Sequence, residues 1–126
     1  MELKGKVKSG KGHFSWVLKN INGIWDLYNK KSGLSLYPGT LNIELDEEFS
    51  IPPNSKRIEA CEYNGTVSAS FYPCMIEKFN GIIIRTDKNE AGTGDHARSV
   101  IEIAAEIKLR DVLNLSDGDE ITVNVV

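Results

Sequence analysis

The sequence predicts a single all-β domain with one or two short helices, and three observations carry that expectation. Thr40-Leu41-Asn42-Ile43-Glu44-Leu45 alternates polar and apolar side chains with the period of two that marks a half-buried strand. Further β-prone runs follow at short intervals, with Asn64-Gly65 between two of them, the strongest short hairpin signal. Residues 120–126 alternate again after a Ser116-Asp117-Gly118-Asp119 turn.

At 126 residues the chain fits one domain, residues 1–126, long enough to bury a core without staples. Its 40% hydrophobic and 26% charged content is ordinary for a soluble globular protein. No apolar run approaches the length of a membrane span, and Met1-Glu2-Leu3-Lys4-Gly5 begins no signal peptide. Cys61 and Cys74 form no CxxC pair and have no histidine at ligand spacing, so a reduced, cytoplasmic protein is expected. The net charge of −3 is unevenly spread. Residues 1–31 hold Lys4, Lys6, Lys8, Lys11, Lys19, Lys30 and Lys31 against only Glu2 and Asp26. Such a basic third suits a phosphate-rich ligand, although Lys4, Lys6 and Lys8 also alternate as outward strand positions would. The acidic balance of the whole argues against a general nucleic-acid binder.

In chain order, residues 3–8 are the first strand. Ser9-Gly10-Lys11-Gly12-His13-Phe14-Ser15 follows as a loop whose backbone N–H groups can face an anion, or as a plain hairpin turn. Its spacing matches neither a Walker A loop nor a dinucleotide fingerprint. Trp16-Val17-Leu18 resumes a strand. Ile21, Ile24, Trp25 and Tyr28 fall at near-helical spacing and predict a short helix within residues 20–31. Tyr37-Pro38-Gly39 then turns the chain into the 40–45 strand. That strand points Leu41, Ile43 and Leu45 to the core and Thr40, Asn42 and Glu44 to the other face. A hydroxyl and an amide oxygen two residues apart suit a hard cation such as Mg²⁺, with phosphate oxygens and waters completing its shell. The same residue types are common on solvent-facing strand ends.

After the acidic residues 46–48 and the Pro52-Pro53 loop, strands are expected at 58–63, 67–75 and 78–85, with Asn80-Gly81 as a second turn signal. Cys61, Phe71 and Cys74 are expected in or beside the core. Residues 86–98 form the longest polar, glycine-bearing segment, of the kind that often covers a ligand. Residues 99–107 fit a buried strand or a short helix, and 108–115 one or two helical turns.

Taken together, four segments resemble the archaeal CTP-dependent riboflavin kinases, over nearly the whole chain and in the family's order. They are Ser9-Gly10-Lys11-Gly12, Tyr37-Pro38-Gly39-Thr40-Leu41-Asn42, Ile101-Glu102-Ile103-Ala104, and Lys108-Leu109-Arg110 through Leu115-Ser116-Asp117-Gly118-Asp119. The resemblance implies a six-stranded RIFT-type (cradle-loop) barrel that transfers the γ-phosphate of CTP to riboflavin, giving FMN and CDP with Mg²⁺. Thr40 and Asn42 would hold the metal. Gly10, Lys11, Gly12, His13, Phe14 and Ser15, with Ile107, Lys108, Leu109 and Arg110, would hold the nucleotide. Thr93 and Glu102 would contact the flavin. The chain departs from the family's usual pattern at His13, Phe14 and Glu106, where an acidic residue, a glycine and a proline are usual, and Gly94 takes the place aligned with a threonine.

Phosphoryl transfer asks a protein mainly for positioning and charge neutralisation. Lys11 or Arg110 would supply the cation, and Glu102, with His96 behind it, is the best candidate for a general base. Two other classes stay open. One is a flavin- or nucleotide-binding barrel without kinase activity. The other is a swapped-hairpin DNA-binding domain, which the closing helix, turn and strand also resemble. A monomer is expected.

Overall fold

A computed structural model describes residues 1–10, 17, 19–21 and 23–126. The strands are β1 (Glu2–Lys8), β2 (Leu41–Leu45), β3 (Lys56–Ile58), β4 (Ala69–Ile76), β5 (Phe79–Thr86), β6 (Val100–Ala105) and β7 (Glu120–Val125). Among the described residues, short α-helices lie at α1 (Ile24–Ser32), α2 (Asp87–Glu90) and α3 (Leu109–Val112), with a 3₁₀-helix at Ala60–Tyr63. Six strands close into an antiparallel barrel in the order β4-β5-β6-β2-β1-β7, and β7 returns to β4. β3 and β7 share one edge of β4: β3 takes residues 69–71 and β7 takes residues 74 and 75.

Two apolar layers follow from the two-residue period of the strands. Leu41, Ile43, Ile83, Ile101, Ile103 and Val123 fill the barrel. Ile82, Ile84, Ala104 and Phe71 face outward and are covered by Ile24 and Tyr28 of α1. β5 is therefore buried on both faces, which is why it reads as an unbroken Ile82-Ile83-Ile84 run. Helix α1 ends where Gly33 adopts a left-handed conformation (φ 76°) and its N–H reaches Asn29 O, and Lys30 and Lys31 sit favourably in its last turn. Tyr28 meets the Phe71 ring at a centroid distance of 5.7 Å.

One charged side chain belongs to this interior. Arg85 is 2% exposed and shares the inward parity of Ile83 at one end of the barrel. Its guanidinium donates to Phe49 O (2.8 Å), Arg98 O (3.1 Å), Val100 O (3.3 Å) and Glu90 Oε1 (2.8 Å). It thereby ties the 46–51 loop, α2 and the entry to β6 to one point.

The strands at 3–8, 40–45, 67–75, 78–85 and 120–126 lie where the sequence places them, as do the helices near 20–31 and 108–115. Five local expectations change. Val17 is helical, as are Lys19 and Asn20, in place of the strand expected at 16–18; Trp16 and Leu18 lie outside the described residues. The expected strand at 58–63 stops at Ile58, because the Glu62 carboxylate accepts the Glu59 N–H (2.9 Å) and winds residues 60–63 into the 3₁₀-helix. Asn64 (φ 57°) caps that helix and does not turn a two-residue hairpin, and Cys61 is exposed on it. Asn80-Gly81 lies inside β5, paired with Met75 and Cys74. The β4–β5 turn falls at Glu77 (φ 53°), since pairing Ile76 with Phe79 keeps both against the core.

The basic face of β1 is answered by carboxylates. Lys6 stands in register between Glu44 of β2 and Glu120 of β7, and Lys8 Nζ lies 3.7 Å from Glu44. Among the described residues no helix is long and apolar enough to cross a membrane.

Candidate active site

The outer face of β1, β2 and β6 forms the floor of a cavity of about 880 Å³, roofed by α1, the 3₁₀-helix and the 86–98 segment. Strand register alone sets Lys8, Asn42 and Glu102 side by side across that floor, one from each strand. Thr40 precedes Asn42 by two residues and shares its face. Ile21, Ile24, Tyr28, Val67 and Ala69 make the apolar wall.

Asn42 is 8% exposed because Gly10 lies directly on it: a Cβ at Gly10 would overlap the Asn42 amide nitrogen. Glycine is required here for close approach, so Gly10 and the Asn42 side chain are positioned as one unit. Asn42 Oδ1 is buried and has no hydrogen-bond partner among the described residues. A buried acceptor left so costs about 1–3 kcal/mol. A divalent cation fits that oxygen and the neighbouring Thr40 hydroxyl, both being neutral hard donors.

Across the floor, His96 Nε2 lies 3.1 Å from Glu102 Oε1, both side chains being largely buried. The hydrogen bond to Glu102 raises the His96 pKa above its ordinary value, against the opposing effect of burial. A pKa raised on folding adds stability that is complete below the unfolded value near 6.5 and is lost as pH rises through the folded one. The urea midpoint of the protein is therefore expected to fall between about pH 6 and pH 8.5 by more than that of His96→Gln. Equal falls in the two proteins would contradict the pairing.

The roof segment is folded onto the barrel. The Thr86 hydroxyl caps α2 by accepting Asn89 N–H (3.1 Å), and Arg57 holds Asp87 through two bonds of 2.8 and 2.9 Å. Thr93 N–H returns to Lys88 O (2.9 Å), and Gly94 packs against the Asn89 carboxamide, where a Cβ would clash. Thr93 and Gly94 both line the cavity, as do Asp95 and His96.

A second cavity of about 210 Å³ lies between Tyr37-Pro38-Gly39 and residues 107–110, and it shares Thr40 and Arg110 with the first. Tyr37 N–H bonds Ala105 O (2.8 Å), which pins the Tyr-Pro-Gly turn to the end of β6. The structure thus brings Gly10, Thr40, Asn42, Thr93, Glu102 and Arg110 to the large cavity, and Ile107, Lys108, Leu109 and Arg110 to the small one. Lys11, Gly12, His13, Phe14 and Ser15 lie outside the described residues. Lys8, Tyr28 and Asn89 were not singled out from the sequence. For Tyr28, a polar tip on an otherwise apolar helix face was the available signal.

A family model for CTP-dependent riboflavin kinases, described as domain of unknown function DUF120, matches residues 7–125. The chain is 34% identical over 127 residues to a riboflavin kinase of Methanocella arvoryzae, covering 98% of this chain and 56% of that protein. It is 31% identical over 136 residues to a riboflavin kinase of Saccharolobus solfataricus (99% and 74% covered). A Staphylothermus marinus riboflavin kinase is 31% identical over 129 residues (94% and 87%). The chain spans about half the length of the Methanocella relative and most of the Staphylothermus one.

Proposed function

The chain belongs to the CTP-dependent riboflavin kinase family, and from that premise we propose that it transfers the γ-phosphate of CTP to riboflavin with Mg²⁺ held by Thr40 and Asn42. The observation that carries this reading is the buried Oδ1 of Asn42, without a partner among the described residues, beside Thr40, which lines both the large and the small cavity. Held there by Thr40 and Asn42, a metal would neutralise charge on the transferred phosphate.

The chain's own residues supply position. The large cavity is of ligand size, and its apolar wall of Ile21, Ile24 and Tyr28 takes the flavin ring system. Glu102 and Thr93 offer it polar contacts. The small cavity beside residues 107–110 takes the nucleotide base, and Arg110 stands between the two where the phosphates must pass. By the family likeness, Gly10, at the edge of the large cavity, and residues 11–15 would contact the nucleotide. Glu102 is the floor carboxylate that would accept the proton of the attacking hydroxyl. The pyrimidine preference rests on the family alone. The same reading takes the protein as a cytoplasmic monomer, checked by fractionation and by sedimentation.

The test is incubation with riboflavin, Mg²⁺ and each of CTP, ATP, GTP and UTP, scored for FMN. FMN should appear with CTP and vanish with EDTA. Equal or faster turnover with ATP would reject the donor assignment. Tight flavin binding without FMN from any donor would leave a binding barrel instead of a kinase.

A further inference from the structure

We propose that Asp117 is a positioning residue: its carboxylate locks Ser9 and Gly10, at the end of β1, to Arg110, fixing the separation of the two sides of the phosphate path before a nucleotide binds. The proposal rests on the function given above, and it assigns a task to a residue outside both cavities.

Asp117 divides its two oxygens between two elements. Oδ2 accepts the Ser9 hydroxyl at 2.6 Å, and Oδ1 accepts Arg110 Nη2 at 2.9 Å. Ser9 and Arg110 both line the large cavity, and Arg110 lines the small one as well. Ser9 is joined directly to Gly10, which seats the Asn42 side chain. A continuous line of contacts therefore runs from Arg110 through Asp117, Ser9 and Gly10 to Asn42. Bonds from Ser9 and Arg110 hold the Asp117 carboxyl below its ordinary range, so the lock stays ionised at neutral pH.

The turn that carries Asp117 does not need this carboxylate to fold. Gly118 N–H bonds Val7 O (2.8 Å), Val7 N–H bonds Asp119 O (2.9 Å), and Ser116 N–H bonds the Asp119 carboxylate (2.8 Å). Gly118 (φ 90°) supplies the left-handed corner. Leu115 N–H to Arg110 O (2.8 Å) joins the turn to α3. Asp117 itself is exposed, and exposed ion pairs contribute little to stability. A small displacement of groups that grip a transferring phosphate is far more costly to function.

Asp117→Ala is therefore expected to raise the KM for the nucleotide about tenfold or more. The Kd for CDP with Mg²⁺ should rise in parallel, while the KM for riboflavin and the urea midpoint stay near parent values. Asp117→Asn, which keeps an acceptor but loses the charge, should fall between. Ser9→Ala added to Asp117→Ala should cost little more, since the hydroxyl acts through the carboxylate. An Asp117→Ala protein with parental nucleotide KM and CDP affinity overturns the proposal. So does one in which both KM values and the urea midpoint shift together, the mark of a merely structural residue. If the parent makes no FMN yet binds CDP, the kinase assignment fails and the CDP titration still decides on Asp117. A parent that neither makes FMN nor binds CDP removes both.

Discussion

Asn42→Leu should slow FMN formation by about 10²-fold or more while leaving the protein as stable as its parent, or slightly more so. The two halves of that expectation have one origin. Asn42 lies on the outer parity of β2, so the barrel interior of Leu41, Ile43 and Leu45 is untouched by the change. Leucine keeps the branched four-atom outline of asparagine and removes a buried oxygen that has no partner among the described residues. Removing such a group relieves a desolvation cost, so a residue whose loss stabilises the fold while abolishing turnover is there for a ligand. Thr40→Val should behave alike. Gly10→Ala should reproduce the defect indirectly, because the new methyl would push the Asn42 carboxamide from its place. Initial rates against Mg²⁺ concentration, with urea melts of each variant, check the set. Parental rates in both Asn42→Leu and Thr40→Val would rule out the metal assignment.

Arg85→Ala should destabilise the protein by about 3–5 kcal/mol, a large share of the roughly 5–15 kcal/mol that holds a domain folded. The loss comes less from Arg85 than from what it leaves behind. Phe49 O and Val100 O would face a void, and Glu90 Oε1, which also accepts Ile51 N–H (3.2 Å), would lose its buried counter-charge. Lysine would not restore the site, since a single ammonium cannot reach acceptors on several elements as a guanidinium fork does. Both variants should also loosen the attachment of α2, and with it Thr93 and His96. Urea denaturation measures the effect, and a loss below about 1 kcal/mol would show that the barrel end repacks around the gap.

Much of this was legible because it is local. The alternation at residues 40–45 sets Thr40 and Asn42 on one face whatever the strand pairs with. What pairs with it is not local, so the row of Lys8, Asn42 and Glu102 appears only once β1 and β6 flank β2. Arg85 stayed invisible for the same reason, its carbonyl acceptors lying 13 to 36 residues away. Elsewhere a local signal was present and lost to packing. Asn80-Gly81 is a good turn dipeptide, but closing the hairpin there would draw Ile76 and Phe79 out of register. At residues 58–63 the β-prone side chains were outweighed by Glu59 and Glu62 at helical spacing. The cavities themselves have no sequence signature, since their walls come from six separate segments.

The pairing of β1 with β7 bears on how the chain reaches this state. Glu2 meets Asn124 and Lys6 meets Glu120, so β1 waits through the synthesis of the whole barrel for β7. Joining segments so distant spends loop-closure entropy before any ladder hydrogen bond or core contact returns it. The β4–β5 hairpin, joined at Glu77, can form early and alone, whereas the barrel can seal only once β7 has been made. Until then the β7-facing edges of β1 and β4 and the apolar inner faces of β2 and β6 stand open to other chains. Nascent protein, not mature protein, is the form of this molecule most exposed to aggregation.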